Sequence, residues 1–411
     1  MSAHRASKPL AGIRVLTLEQ FGAGPYGTMF LAELGAEVIK VEAPEGDPSR
    51  HVGPYKLGEA DSEYFQAWNL GKKSVTIDLK SKDGRAQFEA LVRTADCVVN
   101  NMRGTQPAKL GIDYASLKHL KPAIVCLHIS AYGRSGERAD WPGYDFLMQA
   151  EAGLMELTGD PDGAPTRVGV SLIDSMSGLT GAVGLLACLL RAKTTGKGGD
   201  VETCLYDVAM HQLTYPGAWY LNEGDVSPRV ARSAHLSLAP VQTFPTKDGW
   251  IFIMCMTQKF WLSLCEVMGR ADLLKDPRFP DPNTRAKNRA ELTAALDPTF
   301  KTRTTGDWLA RFNGVLPASP VYRLDQALDS DFARSAGMTS AVPHPAKGSL
   351  RVIANPIRID GERLQQAACS PLGADNKKYL TCSSKASRSS TSPGSCRGPI
   401  SPPHWPTTAP P

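Results

Sequence analysis

The fold turns on Ile13–Val41, IRVLTLEQFGAGPYGTMFLAELGAEVIKV. Ile13–Leu18 is a short apolar run with the length and β-branched content of a strand. A glycine-rich loop follows, then a helical pattern over Thr28–Leu34 and a second apolar run, Val38–Val41. Two buried strands joined through a helix form a β-α-β unit, and such units build parallel sheets.

Working outward, the rhythm continues to about residue 210. Ser74–Leu79 is the next predicted strand, Gly84–Ala95 a helix, and Cys97–Val99 and Ala123–Ile129 further strands. The expected class is α/β, with a doubly wound, mostly parallel, Rossmann-like sheet in a large domain. The character changes after 215. GWIFIMCM, ending at Met256, reads as a strand, and Phe260–Met268 and Arg289–Leu296 as helices, within a smaller α+β domain. The expected boundaries are 1–215 for the first part of the large domain, 216–328 for the small domain, 329–380 for a segment returning to the large one, and 381–411 for a disordered tail. That tail is rich in Ser and Pro and lacks apolar periodicity, so it cannot offset the entropy of ordering.

The 411 residues carry a net charge of +5, and 42% are hydrophobic. These values describe a soluble globular chain. Basic repeats, finger spacings and RNA-binding aromatic motifs are missing, which argues against a nucleic-acid partner. The nine cysteines form no Cys-x-x-Cys, and the histidines have no ligand spacing, so neither a metal site nor a disulfide framework is expected. The start, MSAHRASKPLAG, has no apolar signal core. Gly178–Leu190, the most apolar stretch, is too short to span a bilayer and suits a buried helix. The expectation is a cytoplasmic protein with no membrane partner.

Gly22–Gly27, GAGPYG, fits the dinucleotide template G-x-G-x-x-G, with Glu42 ending the next strand. Two features oppose a nicotinamide cofactor. Pro25 removes a backbone N–H from the loop, and the interval to Glu42 is short of the usual ~20 residues. The plainer reading is a tight strand–helix turn with proline at the helix start.

Asp174 lies where RVGVSLID gives way to a long apolar helix with Gly178, Gly181 and Gly184. An aspartate there is ordinarily an N-cap. As a functional group, a carboxylate at a positive helix end would stay ionised, and in a dry pocket it is a nucleophile towards acyl groups. Gly178 would let a substrate approach closely. Tyr144 and Asp145, in WPGYDF, start another helix. Tyr144 could donate to a carbonyl oxygen or be core, and Asp145 could be a cap. Lys72, Lys73 and Arg103 lie on loops beside strands, where basic groups either bind phosphate or meet solvent. Arg229 and Arg232 could meet a substrate carboxylate or face water.

PLAGIRVLTLEQFGAGPYGTMFLAELGAEVIKVEAPEGDPSR resembles the opening of the class III CoA-transferases, a family that includes formyl-CoA transferase and the carnitine and bile-acid CoA-transferases. NLGKKSVTIDL, PGYDFLMQAEAGL, VGVSLIDSMSGLTG and TGKGGDVETCLYDVAMHQL continue the likeness, over about residues 8–375. The resemblance implies an interlocked homodimer in which Asp174 is the catalytic carboxylate. It also implies CoA contacts from Ala23, Lys73, Asn101, Met102 and Lys109, and a substrate pocket with Gly22, Tyr144 and Gly178. Coenzyme A would be a substrate, with no further cofactor, and the partners would be an acyl-CoA, such as succinyl-CoA, and a carboxylic acid. Formyl-CoA transferases carry Gln where Gly22 stands, which points away from formyl or oxalate specificity. Their glycine-rich loop is replaced by HLSLAPVQTF. The sister α-methylacyl-CoA racemases, the alternative reading, use His at the Tyr144 position, and a phenol is poorly matched to proton transfer near neutral pH.

Overall fold

The computed structural model describes residues 8–380, so the tail expected to be disordered lies outside the described residues. The first half contains β1 (Arg14–Leu18), α1 (Ala23–Glu33), β2 (Glu37–Glu42), α2 (Glu63–Asn69), β3 (Lys73–Thr76), α3 (Lys82–Val92) and β4 (Cys97–Asn100). It continues through α4 (Gln106–Lys109), α5 (Tyr114–Leu117), β5 (Val125–Ser130), α6 (Asp145–Glu151), α7 (Leu172–Thr195), β6 (Gly199–Cys204), α8 (Leu205–His211) and α9 (Thr214–Glu223). The six strands form one parallel sheet in the order β3-β2-β1-β4-β5-β6.

Alternate residues along the strands feed two cores, as a sheet covered on both faces requires. Val15, Val38, Val99, Leu127 and Ile129 pack with α1, α7 and α8. Leu16, Ile39, Val75, Val98 and Cys126 pack with Phe88, Leu91 and Val92 of α3. Strand order reverses between β1 and β4, the place where sheets of this kind open a crevice at their carboxyl ends.

A separate core belongs to an antiparallel sheet of β7 (Val241–Pro245), β8 (Trp250–Met254) and β9 (Ala318–Pro320). It is covered by α10 (Gln258–Met268), α11 (Pro282–Lys287), α12 (Arg289–Phe300) and α13 (Thr305–Phe312). Its centre is aromatic. Phe244 stacks on Phe300 at 4.6 Å, Trp308 on Phe312 at 5.4 Å, and the Trp308 indole donates to the Phe300 carbonyl at 2.8 Å. The chain then returns through a hairpin, β10 (Thr339–His344) and β11 (Gly348–Ile353), whose Val342 and Leu350 pack on Met29 and Phe30 of α1.

Two local expectations are corrected. Helix α1 begins at Ala23, five residues before the expected Thr28, so most of the glycine-rich stretch is helical. Proline in a first helical turn loses no intrahelical bond, because its N–H would be unpaired there. The glycines bring α1 against α7: a Cβ on Gly27 would be 2.3 Å from the Gly178 carbonyl oxygen. The apolar stretch around residue 180 is also longer than expected. Helix α7 spans 24 residues, enough by length and apolar composition alone to cross a membrane. One face lies in the core, while Val183 and Leu190 are 69% and 68% exposed.

Candidate active site

A cleft of roughly 800 Å³ opens at the carboxyl ends of β1, β2, β4 and β5. Its floor is the β1–α1 loop and the start of α7. Gly22, Ala23, Asn101, Met102, Tyr144 and Asp174 all line it, although they come from four separate stretches of chain.

Asp174 is the third residue of α7; the N-cap position is Ser171, not Asp174 as the sequence suggests, and residues 168–171 form no strand. The Asp174 amide donates instead to Oδ2 of Asp145 at 2.9 Å, while Asp145 Oδ1 accepts from Gln149 Nε2 at 2.6 Å. Gln149 Oε1 in turn accepts from the Val168 amide at 2.9 Å. Asp145 therefore ties the start of α7 to Gln149 of its own helix and is not that helix's N-cap, which is Tyr144.

The Asp174 carboxylate rests on Gly22. A Cβ there would lie 2.2 Å from Asp174 Oδ2 and 2.8 Å from its Cγ. Burial, and then the negative charge of Asp145, push the Asp174 pKa up to about 7. The helix N-terminus favours the ionised carboxylate, and burial with the neighbouring Asp145 charge opposes it, raising the carboxyl above its ordinary value. Burial and the charge of Asp174 also raise the Tyr64 phenol above its ordinary value, which places Tyr64 within electrostatic reach of the carboxylate. Nothing in DSEYF marks that tyrosine in the sequence; it follows an ordinary Ser62 N-cap.

Beneath the cleft lies an ionic bed. Lys72 Nζ is 2.7 Å from Glu19, Lys40 is 2.9 Å from Asp47, and Arg50 holds Glu42 with two nitrogens at 2.7 Å. Burial pulls Lys72 down to about 8, opposed by Glu19. Burial also opposes the charged forms of Lys40 and Glu42, but their partners prevail, leaving Lys40 raised and Glu42 lowered. Glu42 is thereby engaged by Arg50 and by the Ser74 hydroxyl at 2.6 Å, rather than being free for a ribose.

Three expected site residues lie elsewhere. Gly178 does not line the cleft. Its missing side chain admits α1, since a Cβ would stand 2.4 Å from the Ala23 carbonyl oxygen and 2.8 Å from the Gly27 nitrogen. Lys73, half-buried on β3, is also outside the lining, as is Lys109, which is exposed and 3.8 Å from Asp140. The cations that line the cleft are Lys80 and Arg103. Arg103 is recognisable as a loop cation in the sequence, whereas Lys80 reads as an ordinary solvated charge. Arg229 pairs with Glu156 at 3.5 Å, and Arg232 with Asp297 at 2.8 Å.

Comparison with known proteins agrees with this geometry. The model of CoA-transferase family III matches residues 10–376. The chain is 33% identical to the succinate–glutarate CoA-transferase of Agrobacterium fabrum over 337 residues, 80% of this chain and 84% of that protein. It is 32% identical to the mouse succinyl-CoA:glutarate CoA-transferase, covering 91% of this chain and 86% of the relative. Among solved structures, a CAIB/BAIF family protein from Brucella suis superposes with a TM-score of 0.80 at 33% identity, over 90% of this chain and 98% of that one. A polypeptide that aligns with these transferases over most of its length and folds as that neighbour does is a CoA-transferase, and it belongs to CoA-transferase family III.

Proposed function

We propose that the protein moves CoA from a donor acyl-CoA, succinyl-CoA being the first candidate, to a carboxylic acid, with Asp174 as the covalent carrier. One observation supports this above the rest: the Asp174 carboxyl sits at the cleft floor against Gly22, its own amide fixed by Asp145. A carboxylate oxygen attacks the thioester carbon, the C–S bond breaks and CoA leaves as thiolate, giving an acyl-aspartyl anhydride. The thiolate attacks the aspartyl carbonyl, releasing the donor acid and leaving an aspartyl-CoA thioester. The acceptor carboxylate then attacks that carbonyl and expels thiolate, which attacks the acceptor carbonyl of the new anhydride and frees Asp174. Each intermediate preserves the acyl energy that water would dissipate.

The coenzyme lies across the β1/β4 switch point, by Ala23, Asn101 and Met102, with Lys80 and Arg103 taking its phosphates rather than Lys73 and Lys109. Tyr144 borders the acyl group. Two copies interlock, covering Val183 and Leu190 of α7 and the exposed Tyr220 and Leu221 of α9. The seven described cysteines are free and buried, in keeping with a reducing, cytoplasmic setting.

The test is incubation with succinyl-CoA without acceptor, followed by hydroxylamine. A hydroxamate is expected on the peptide containing Asp174. Asp174→Ala should fold, bind CoA and lose turnover by at least about a thousandfold. Substantial turnover by that variant, or an acyl group trapped on another residue, would sink the mechanism.

A further inference from the structure

We propose that Asn101 is a positioning residue. It holds Phe21 in a left-handed backbone conformation and thereby sets the Gly22 floor on which the Asp174 carboxylate rests. The proposal builds on the reading of Asp174 as nucleophile and adds how that nucleophile is placed.

Phe21 has φ of +60°, a region that residues with a Cβ enter only at a cost. Such a conformation persists where its surroundings over-determine it. Here the preceding residue is clamped on both sides by one side chain. The Gln20 amide donates to Asn101 Oδ1 at 2.9 Å, and Asn101 Nδ2 donates to the Gln20 carbonyl at 2.6 Å. The clamp spans the switch point, since β1 and β4 are paired neighbours in register Leu18↔Asn100, and Gln20 and Asn101 follow them. On its other side, the Phe21 ring meets Tyr144 edge-on, with centroids 6.4 Å apart.

What the clamp protects is the next residue. The Asp174 carboxyl fills the space a side chain at position 22 would take, so the backbone at Gly22 is the surface that bounds it. Relaxation of Phe21 to negative φ would turn that surface and move the carboxylate. A displacement of about 1 Å from the attack geometry is enough to cost a hundredfold in rate. Asn101 thus acts through the loop and not only as a neighbour of the coenzyme.

The test is a double-mutant cycle on the full chain. Asn101→Ala should lower kcat by about ten- to a hundredfold, over and above any rise in KM for the acyl-CoA donor from the lost coenzyme contact. Asn101→Asp keeps the acceptor for the Gln20 amide and loses the donor, so its kcat should fall between wild type and Asn101→Ala. Glycine enters positive φ freely, so in a Phe21→Gly background the Asn101→Ala penalty should shrink. Each penalty is taken within its own background, because Phe21→Gly also removes the ring beside Tyr144. Equal penalties in both backgrounds, or a loss confined to KM, would overturn the positioning role. Hydroxylamine trapping runs alongside: no adduct on wild-type Asp174 removes the reading beneath the proposal, whereas an adduct with an additive cycle overturns the proposal alone.

Discussion

Glu19, Lys40, Glu42, Asp47, Arg50 and Lys72 lie buried under the cleft, while Phe244, Trp261, Phe300, Trp308 and Phe312 fill the core under the β7–β9 sheet. Both regions exclude water, yet they respond differently to change. The aromatic core works by area and shape, so its loss is graded with the volume removed. The ionic bed works by pairing. Each ammonium or guanidinium answers a particular carboxylate, and a survivor left alone carries the full cost of an unpaired buried charge. Pairing also fixes geometry, and here the fixed groups border the cleft: Glu19, Glu42 and Asp47 line it, and the Glu19 carbonyl accepts from Lys40 at 2.7 Å just before the clamped loop.

The sharpest break of this comparison is Lys72→Met. It removes one partner of a fully buried pair, and Glu19 Oε2 already lacks a hydrogen bond. Urea denaturation should show a loss of about 3–5 kcal/mol. Phe300→Leu keeps much of its apolar volume and should lose no more than about 1.5 kcal/mol, with kcat unchanged. If the two losses came out in the reverse order, the ionic bed would be a solvated surface feature and the contrast would fail.

The next effect concerns the α1–α7 crossing. At Gly178 the obstacles to a Cβ are the Ala23 carbonyl and the Gly27 nitrogen, backbone atoms that cannot rotate away. Gly178→Ala should therefore cost about 1–3 kcal/mol. It should also lower kcat, since Asp174 is one turn away on the same helix. Unchanged melting together with a raised KM would return Gly178 to the substrate pocket.

Much of the fold was legible because strands buried on both faces leave unbroken apolar runs; β1, β2, β4 and β5 lie where those runs are. Strand β6, GDVETC, was missed. It is the sheet's edge, and its Asp200 is held outside the core by the His128 ring at 2.9 Å and Arg134 at 3.1 Å, so no apolar run betrays it. The helical character of GAGPYG was hidden because glycine and proline have low intrinsic helix propensity, and only the tertiary contact with Gly178 makes glycine there an advantage. Asp174 stood out as a helix-start carboxylate, but its role came from the resemblance. Asp145 as its support, Tyr64 as its neighbour and Asn101 as the loop clamp all depend on contacts between distant segments, which residue types and spacing do not encode.

The smallest effect is a pH limb, and it separates the bed's paired carboxylates from Asp174, which has no ion pair among the described residues. Burial and Asp145 raise its pKa from an ordinary 3.8 to about 7. Only the carboxylate attacks a thioester, so kcat/KM for the donor should rise about tenfold per unit below pH 7 and level off above it. Asp145→Asn removes the second cause of the shift while keeping an acceptor for the Asp174 amide, so the limb should move to lower pH. The stability consequence has the opposite sign to that of a paired carboxylate. Between about pH 4 and 7 folded Asp174 retains a proton that the unfolded chain has released, so stability falls as pH rises through that window. Asp174→Asn cannot ionise and should lack the fall, becoming relatively more stable than wild type above pH 7. A limb near pH 4, with wild type and Asp174→Asn melting in parallel across the range, would mean that the α7 N-terminus outweighs desolvation and that this carboxylate is no less comfortable than those in the bed.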